Sequence, residues 1–116
     1  MPVDRTDRPL VWLHGEIRSP PFSSEARIEA GELLRRLQRR ETLVMPYSRP
    51  MAVVGPACHE LRIVDAGVSW RIVYHLRADA VVILAVFAKK TRRTPAQQLE
   101  ASRDRLKRYL RDIGER

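Results

Sequence analysis

Residues 80–88 read AVVILAVFA, nine apolar side chains with no polar break. A half-buried strand alternates and an amphipathic helix breaks its apolar pattern every few residues, so this segment must be covered on both faces. The run is too short to span a bilayer, which takes roughly 18 to 20 residues. With a tight turn at Ala78-Asp79 before it, it reads as a strand in the middle of a sheet whose neighbours cover it.

The segments before it supply those neighbours. In CHELRIVD (58–65) Leu61 and Ile63 fall on one face and Glu60 and Arg62 on the other, the period-two signature of a half-buried strand. Asp65-Ala66-Gly67 offers a glycine-bearing hairpin loop. VSWRIVYHLR (68–77) then sets Val68, Trp70, Ile72, Tyr74 and Leu76 opposite Ser69, Arg71, Val73, His75 and Arg77. Three strands joined by such short turns make an antiparallel meander.

Further elements flank the meander. LVWLH (10–14) reads as a short first strand. After Pro20 and Pro21, Ser23 or Ser24 can cap a helix whose stripe is Phe22, Ala26, Ala30, Leu33, Leu34 and Leu37, running to about Arg40. Pro46, Pro50, Gly55 and Pro56 exclude regular helix from 41–57 and favour an extended connection. The last helix opens on Thr94 as N-cap, Pro95 at the first helical position and Gln97 closing a capping box, and Gly114 stops it. Its apolar face is Leu99, Leu106, Tyr109, Leu110 and Ile113. The expected fold is α+β: an antiparallel-rich four-stranded sheet with helices packed on one face and a C-terminal helix, as a single domain over 10–116 after a flexible 1–9. The uncovered sheet face would present Arg62 and Arg71.

Composition narrows the chemistry. Cys58 is the only cysteine, so the chain forms no internal disulfide. The first nine residues carry Asp4, Arg5, Asp7 and Arg8, unlike a secretory signal, and the expected compartment is the cytoplasm. His14, His59, His75 and Cys58 have unrelated spacings, and no metal or cofactor motif is expected. Cys58 and His59 are strand neighbours facing opposite ways, so they form no thiol dyad. Neither a phosphate-cradling glycine loop nor a strand-borne aromatic array for stacking RNA bases is present.

The net charge of +8 is concentrated at one end: residues 89–116 hold ten Lys or Arg against four Asp or Glu, a net +6, and residues 1–88 twelve against ten, a net +2. That asymmetry favours a polyanionic partner such as nucleic acid. Lys89 and Lys90 leave the apolar strand beside Arg62 and Arg71, which adjacent strands can bring to one face. From MPYSRPM through HELRI, WRIVYHL and VFAKKTRRTP to the last helix, the chain resembles the phage-derived Gp49-like, HigB-type branch of the RelE/ParE toxin superfamily. The pattern is Glu60-Leu61-Arg62, Arg71, Tyr74, Phe87-x-Lys89-Lys90-Thr91 and Thr94-Pro95, and the likeness spans about residues 10–112. It implies a small RelE-like toxin whose sheet face binds mRNA on the translating ribosome, neutralised by a helix-turn-helix antitoxin, with no membrane involvement.

Cleaving RNA without a metal needs a base for the 2′-hydroxyl proton, positive charge at the phosphate and a proton for the leaving oxygen. Crowding by cations lowers a lysine's pKa, which suits Lys89 or Lys90 to the first task, and Arg62 and Arg71 to the second. Glu60 or His59 could instead be the base, although His59 should point to the other face; Tyr74 is an acid or simply core. Arg92, Arg93 and Lys107 are the expected RNA-binding cations. The rival reading is a non-enzymatic gyrase poison or nucleic-acid-binding protein.

Overall fold

The protein is described from a computed structural model over residues 7–19, 21–89 and 94–114. Its elements are β1 (Leu10–Trp12), α1 (Ser24–Gln38), β2 (Ser48–Pro50), β3 (Cys58–Asp65), β4 (Val68–Arg77), β5 (Ala80–Lys89) and α2 (Ala96–Asp112). The strands form one sheet in the order β1-β5-β4-β3-β2. β2, β3, β4 and β5 pair antiparallel, and β1 runs parallel to β5 with Leu10 opposite Val81. The meander is therefore as expected, and the all-apolar β5 is an interior strand between β1 and β4.

Two expectations are corrected. The sheet has five strands rather than four, because Ser48–Pro50, inside the stretch assigned to an extended connection, pairs with His59–Leu61. Pro50 lacks the N–H that a central strand would need, which an edge strand tolerates. Secondly, the helices do not share one face. The α1 stripe of Phe22, Ala26, Ala30, Leu33, Leu34 and Leu37 packs with Leu61, Ile63, Trp70, Ile72, Tyr74, Val81 and Ile83. Leu106 of α2 packs with Cys58, Val73, Val82, Leu84 and Phe87 on the opposite face, with Leu99, Tyr109 and Leu110 at its margin. The physical reason lies in β5, whose two apolar faces each require a cover.

Local chemistry sets the ends of the elements. Ser23 caps α1, its hydroxyl accepting the Ala26 N–H at 3.0 Å. Asp65, at the β3–β4 hairpin, accepts from the Ser23 N–H and the Trp70 indole, tying the loop to the start of α1. Gly67 in that two-residue turn has φ of 70°, the left-handed region that glycine enters freely. The α2 cap differs from the expected box: Pro95 is the N-cap and no side chain caps it, because Thr94 is engaged elsewhere. Gly114, with φ of 82°, follows the helix end as expected, whereas Ile113 is exposed rather than part of the apolar face.

Of the segment expected to be flexible, residues 1–6 lie outside the described residues, while 7–9 are tied down. Asp7 pairs with Arg35, the Arg8 N–H donates to Gln38 O, and Pro9 O accepts from the Val81 N–H. Between Val73 and Tyr74 the β4–β5 register shifts: Val73 faces Ala85 and Tyr74 faces Ile83, so Leu84 is an extra residue in β5. Arg105 of α2 donates to the Leu84 carbonyl at 2.7 Å, occupying an acceptor that the bulge takes out of the ladder. No helix among the described residues is long and apolar enough to cross a membrane.

Candidate functional site

On the α2 side of the sheet lies a carboxylate surrounded by cations. Glu60 of β3 is 0% exposed, and Arg71 of β4 and Lys89 of β5 are 6% and 5% exposed. Alternation places them together: Glu60 and Arg62 share a face of β3, Arg62 stands directly across from Arg71, and Ser69, on the Arg71 face of β4, stands across from Lys89. Glu60, Arg62, Arg71 and Lys89 thus share one face of the sheet, the face that α2 covers rather than an open one. Lys90, Arg92 and Arg93 lie outside the described residues. Lys107 is exposed on α2, about 20 Å of helical rise beyond Thr94, and is not brought to this cluster.

Glu60 is held from three sides. Arg49, its cross-strand partner on β2, donates from Nε at 3.2 Å. The Thr94 hydroxyl donates to the other carboxylate oxygen at 2.9 Å. Arg71 Nε stands 3.7 Å away, close enough for charge attraction but beyond hydrogen-bond reach. Arg71 Nε and Nη1 are both buried with no hydrogen-bond partner among the described residues, which is costly for a charged donor unless something else engages it.

The electrostatics follow from this crowding. Burial, above all, pulls the Lys89 ammonium below the usual lysine range. Glu60 opposes that shift, while Arg71, Arg49 and Arg62 reinforce it. Burial also lowers Arg71, with Glu60 acting the other way. A lysine whose charged form is disfavoured accepts and releases a proton more readily than an exposed one, and planar guanidinium donors beside it can hold an anionic oxygen.

The remaining candidates separate by face. His59 stacks on Tyr74, ring centroids 5.4 Å apart, on the α1 side. Tyr74 is 1% exposed and shares a 2.6 Å hydrogen bond with Ser48, and burial raises its pKa; it belongs to the core. Cys58 lies on the α2 side near His75, Sγ to Nδ1 3.7 Å. That nitrogen also lies 2.8 Å from the Pro56 carbonyl, which can only accept, so Nδ1 carries the proton and cannot take the thiol's. Burial pushes the thiol pKa up to about 11, leaving Cys58 inert.

Arg49 and Thr94 join the cluster unforeseen: Arg49 carried no assigned role, and Thr94 was expected to cap the last helix. The available signal for Arg49 was its place in MPYSRPM, and for Thr94 its place beside the helix start. Among the described residues, no group of three or more His, Cys, Asp or Glu could hold a metal ion.

A five-stranded, mostly antiparallel sheet with one helix on each side and a buried carboxylate–cation cluster on the face of the C-terminal one defines the class: a small α+β domain with cations gathered on one sheet face. Residues 20–107 match the family described as Phage derived protein Gp49-like (DUF891), and the chain belongs to it. This is a family of RelE-like toxins of toxin–antitoxin systems. No curated protein matches the chain.

Proposed function

We propose that the protein is the toxin of a type II toxin–antitoxin pair and acts as an mRNA endoribonuclease on the translating ribosome. The observation that carries this reading is Arg71, whose buried Nε and Nη1 have no hydrogen-bond partner among the described residues, with Glu60 3.7 Å from Nε and the buried Lys89 on the same face of the neighbouring strand. A phosphate oxygen satisfies such donors and offsets the excess of positive charge.

In the proposed reaction the Lys89 amine accepts the 2′-hydroxyl proton and the freed oxygen attacks the adjacent phosphorus. The phosphorus–O5′ bond breaks, and a protonated group or solvent supplies the proton to the leaving 5′-oxygen. Arg71 and Arg62 bind the phosphate and stabilise its developing charge. Glu60, wholly buried and tied to Arg49 and Thr94, positions the arginines rather than taking the proton itself. The products are a 2′,3′-cyclic phosphate and a free 5′-hydroxyl, with charge neutralisation by Arg and Lys in place of a metal ion. Arg92, Arg93 and Lys107 would contact flanking RNA or ribosome, and a helix-turn-helix antitoxin with acidic residues toward the cationic face would neutralise the toxin.

The test is in vitro translation with primer extension on the message, comparing the parent protein with Arg71→Met and Lys89→Met. Cuts by the parent that vanish in both variants, bear a 5′-hydroxyl on the downstream fragment and are blocked by a 2′-deoxy substitution support the reading. Intact message with arrested gyrase would replace it with a gyrase poison, and a 5′-phosphate would refute the mechanism.

A further inference from the structure

Beside the cationic cluster, on the edge-strand side, three large apolar residues stand in solvent within four positions: Val44, Met45 and Tyr47 are 65%, 52% and 44% exposed. Isolated exposed apolar residues are unremarked features of any surface, but a contiguous set held in fixed geometry signals contact with something. This set is held. The Tyr47 and Ser48 N–H groups both donate to Val44 O, at 2.9 and 3.2 Å, closing a turn. The Tyr47 carbonyl accepts the Arg62 N–H at 2.9 Å, which extends the β2–β3 pairing by one position and sets Tyr47 opposite Arg62.

Arg62 joins the turn to the cluster. Its Nη1 lies 3.9 Å from Met45 Sδ, and its cross-strand partner on the other side is Arg71. Tyr47, Arg62 and Arg71 therefore occupy one row across three neighbouring strands, about 5 Å per step. No ring stacks on Tyr47 among the described residues, where the aromatic pairs are Phe22 with Trp70 and His59 with Tyr74.

We propose that Tyr47, with Met45 and the Arg62 guanidinium, forms a ledge on which a base of single-stranded RNA stacks, next to the nucleotide whose phosphate lies on Arg71 and Lys89. The inference rests on the endoribonuclease reading and adds to it a residue that selects and orients the substrate. Charge complementarity favours RNA over an apolar protein segment. Arg49, Arg62 and Arg71 lead from the ledge into the cluster, so an occupant must carry flat apolar surface and negative charge in alternation, as a nucleotide chain does. A tyrosine ring and a guanidinium on paired neighbouring strands suit a base of any identity, with sequence preference arising from stacking strength.

The experiment measures binding, at low and moderate salt, of a short fluorescent oligoribonucleotide whose 2′-O-methyl groups block cleavage. A matching oligonucleotide carries one abasic position, moved stepwise along the chain. Tyr47→Ala is expected to weaken binding of the intact strand about tenfold, equivalent to about 1.4 kcal/mol, with Tyr47→Phe or Tyr47→Trp restoring it. At one abasic position the parent and Tyr47→Ala should bind alike. Arg71→Met, by contrast, should weaken binding to intact and abasic strands equally and flatten the salt dependence. If Tyr47→Ala binds the intact strand as the parent does while Arg71→Met does not, the ledge is refuted and the phosphate site stands. If Arg71→Met also binds normally, or the parent binds no RNA, both readings fall. If Tyr47→Ala keeps RNA affinity but loses capture of the co-expressed antitoxin, the patch is a protein-docking surface and the proposal is overturned.

Discussion

Replacing Glu60 by glutamine preserves the side chain's shape and removes the negative charge that Arg49, Arg71 and Lys89 approach. Deleting one partner of a buried ion pair typically costs about 3–5 kcal/mol, because the opposite charge is left buried and uncompensated. Here the Arg49 side chain is 37% exposed and regains water, and Arg71 stands 3.7 Å off rather than in contact, so the expected loss is about 2–3 kcal/mol. For a chain of 116 residues that corresponds to a fall in Tm of roughly 10 °C. Lys89 supplies the internal check. Burial and three guanidiniums disfavour its charge while Glu60 favours it, so Lys89→Met alone should shift stability by less than about 1 kcal/mol. Once Glu60 is neutral, the favourable partner is gone, and adding Lys89→Met to Glu60→Gln should recover about 1 kcal/mol or more. Urea denaturation of the parent, both single variants and the double variant measures the coupling directly. Equal effects of Lys89→Met in both backgrounds, or a Glu60→Gln protein as stable as the parent, would refute the view that this carboxylate holds the cations together.

Acid should destabilise the fold through His75, which burial holds below the ordinary 6.5: the unfolded chain then takes up the proton first, so stability falls as pH drops through that value, and His75→Gln should flatten the slope of Tm between about pH 7 and 5, where His59, also lowered by burial, contributes in the same sense. Gly15→Ala should cost about 2–3 kcal/mol in denaturant unfolding, since φ is +83° and the new Cβ would meet Val86 Cβ at 2.8 Å, an atom fixed to the β5 backbone. Cys58 should resist alkylation at pH 8 until the protein is unfolded, because its thiol is buried and its pKa is pushed up to about 11; a rate in the native protein equal to that in urea would show the packing around His75 to be wrong.

The alternation in residues 58–77 carried most of what was legible. It places Glu60, Arg62 and Arg71 on one face and His59 and Tyr74 on the other, because a strand's period of two leaves no freedom once pairing is set. Arg49 escaped because β2 is three residues long, ends in proline and has no period to read. Thr94 was misassigned for a different reason: a capping box is a local pattern, and a buried carboxylate 34 residues earlier in the chain competed for the same hydroxyl and won. The placement of both helices on one face ignored a demand already present in β5, whose second apolar side also had to be kept from water.

The bulge at Leu84 bears on Lys89 in a way that the residue's own chemistry does not reveal. Counted without it from the pair Arg77–Ala80, β5 would set Lys89 against Val68, which packs on the α1 side of the sheet. One extra residue inverts the parity of everything downstream. The side of the sheet on which Lys89 emerges is thus set five positions upstream, by an irregularity that Arg105 clamps from α2.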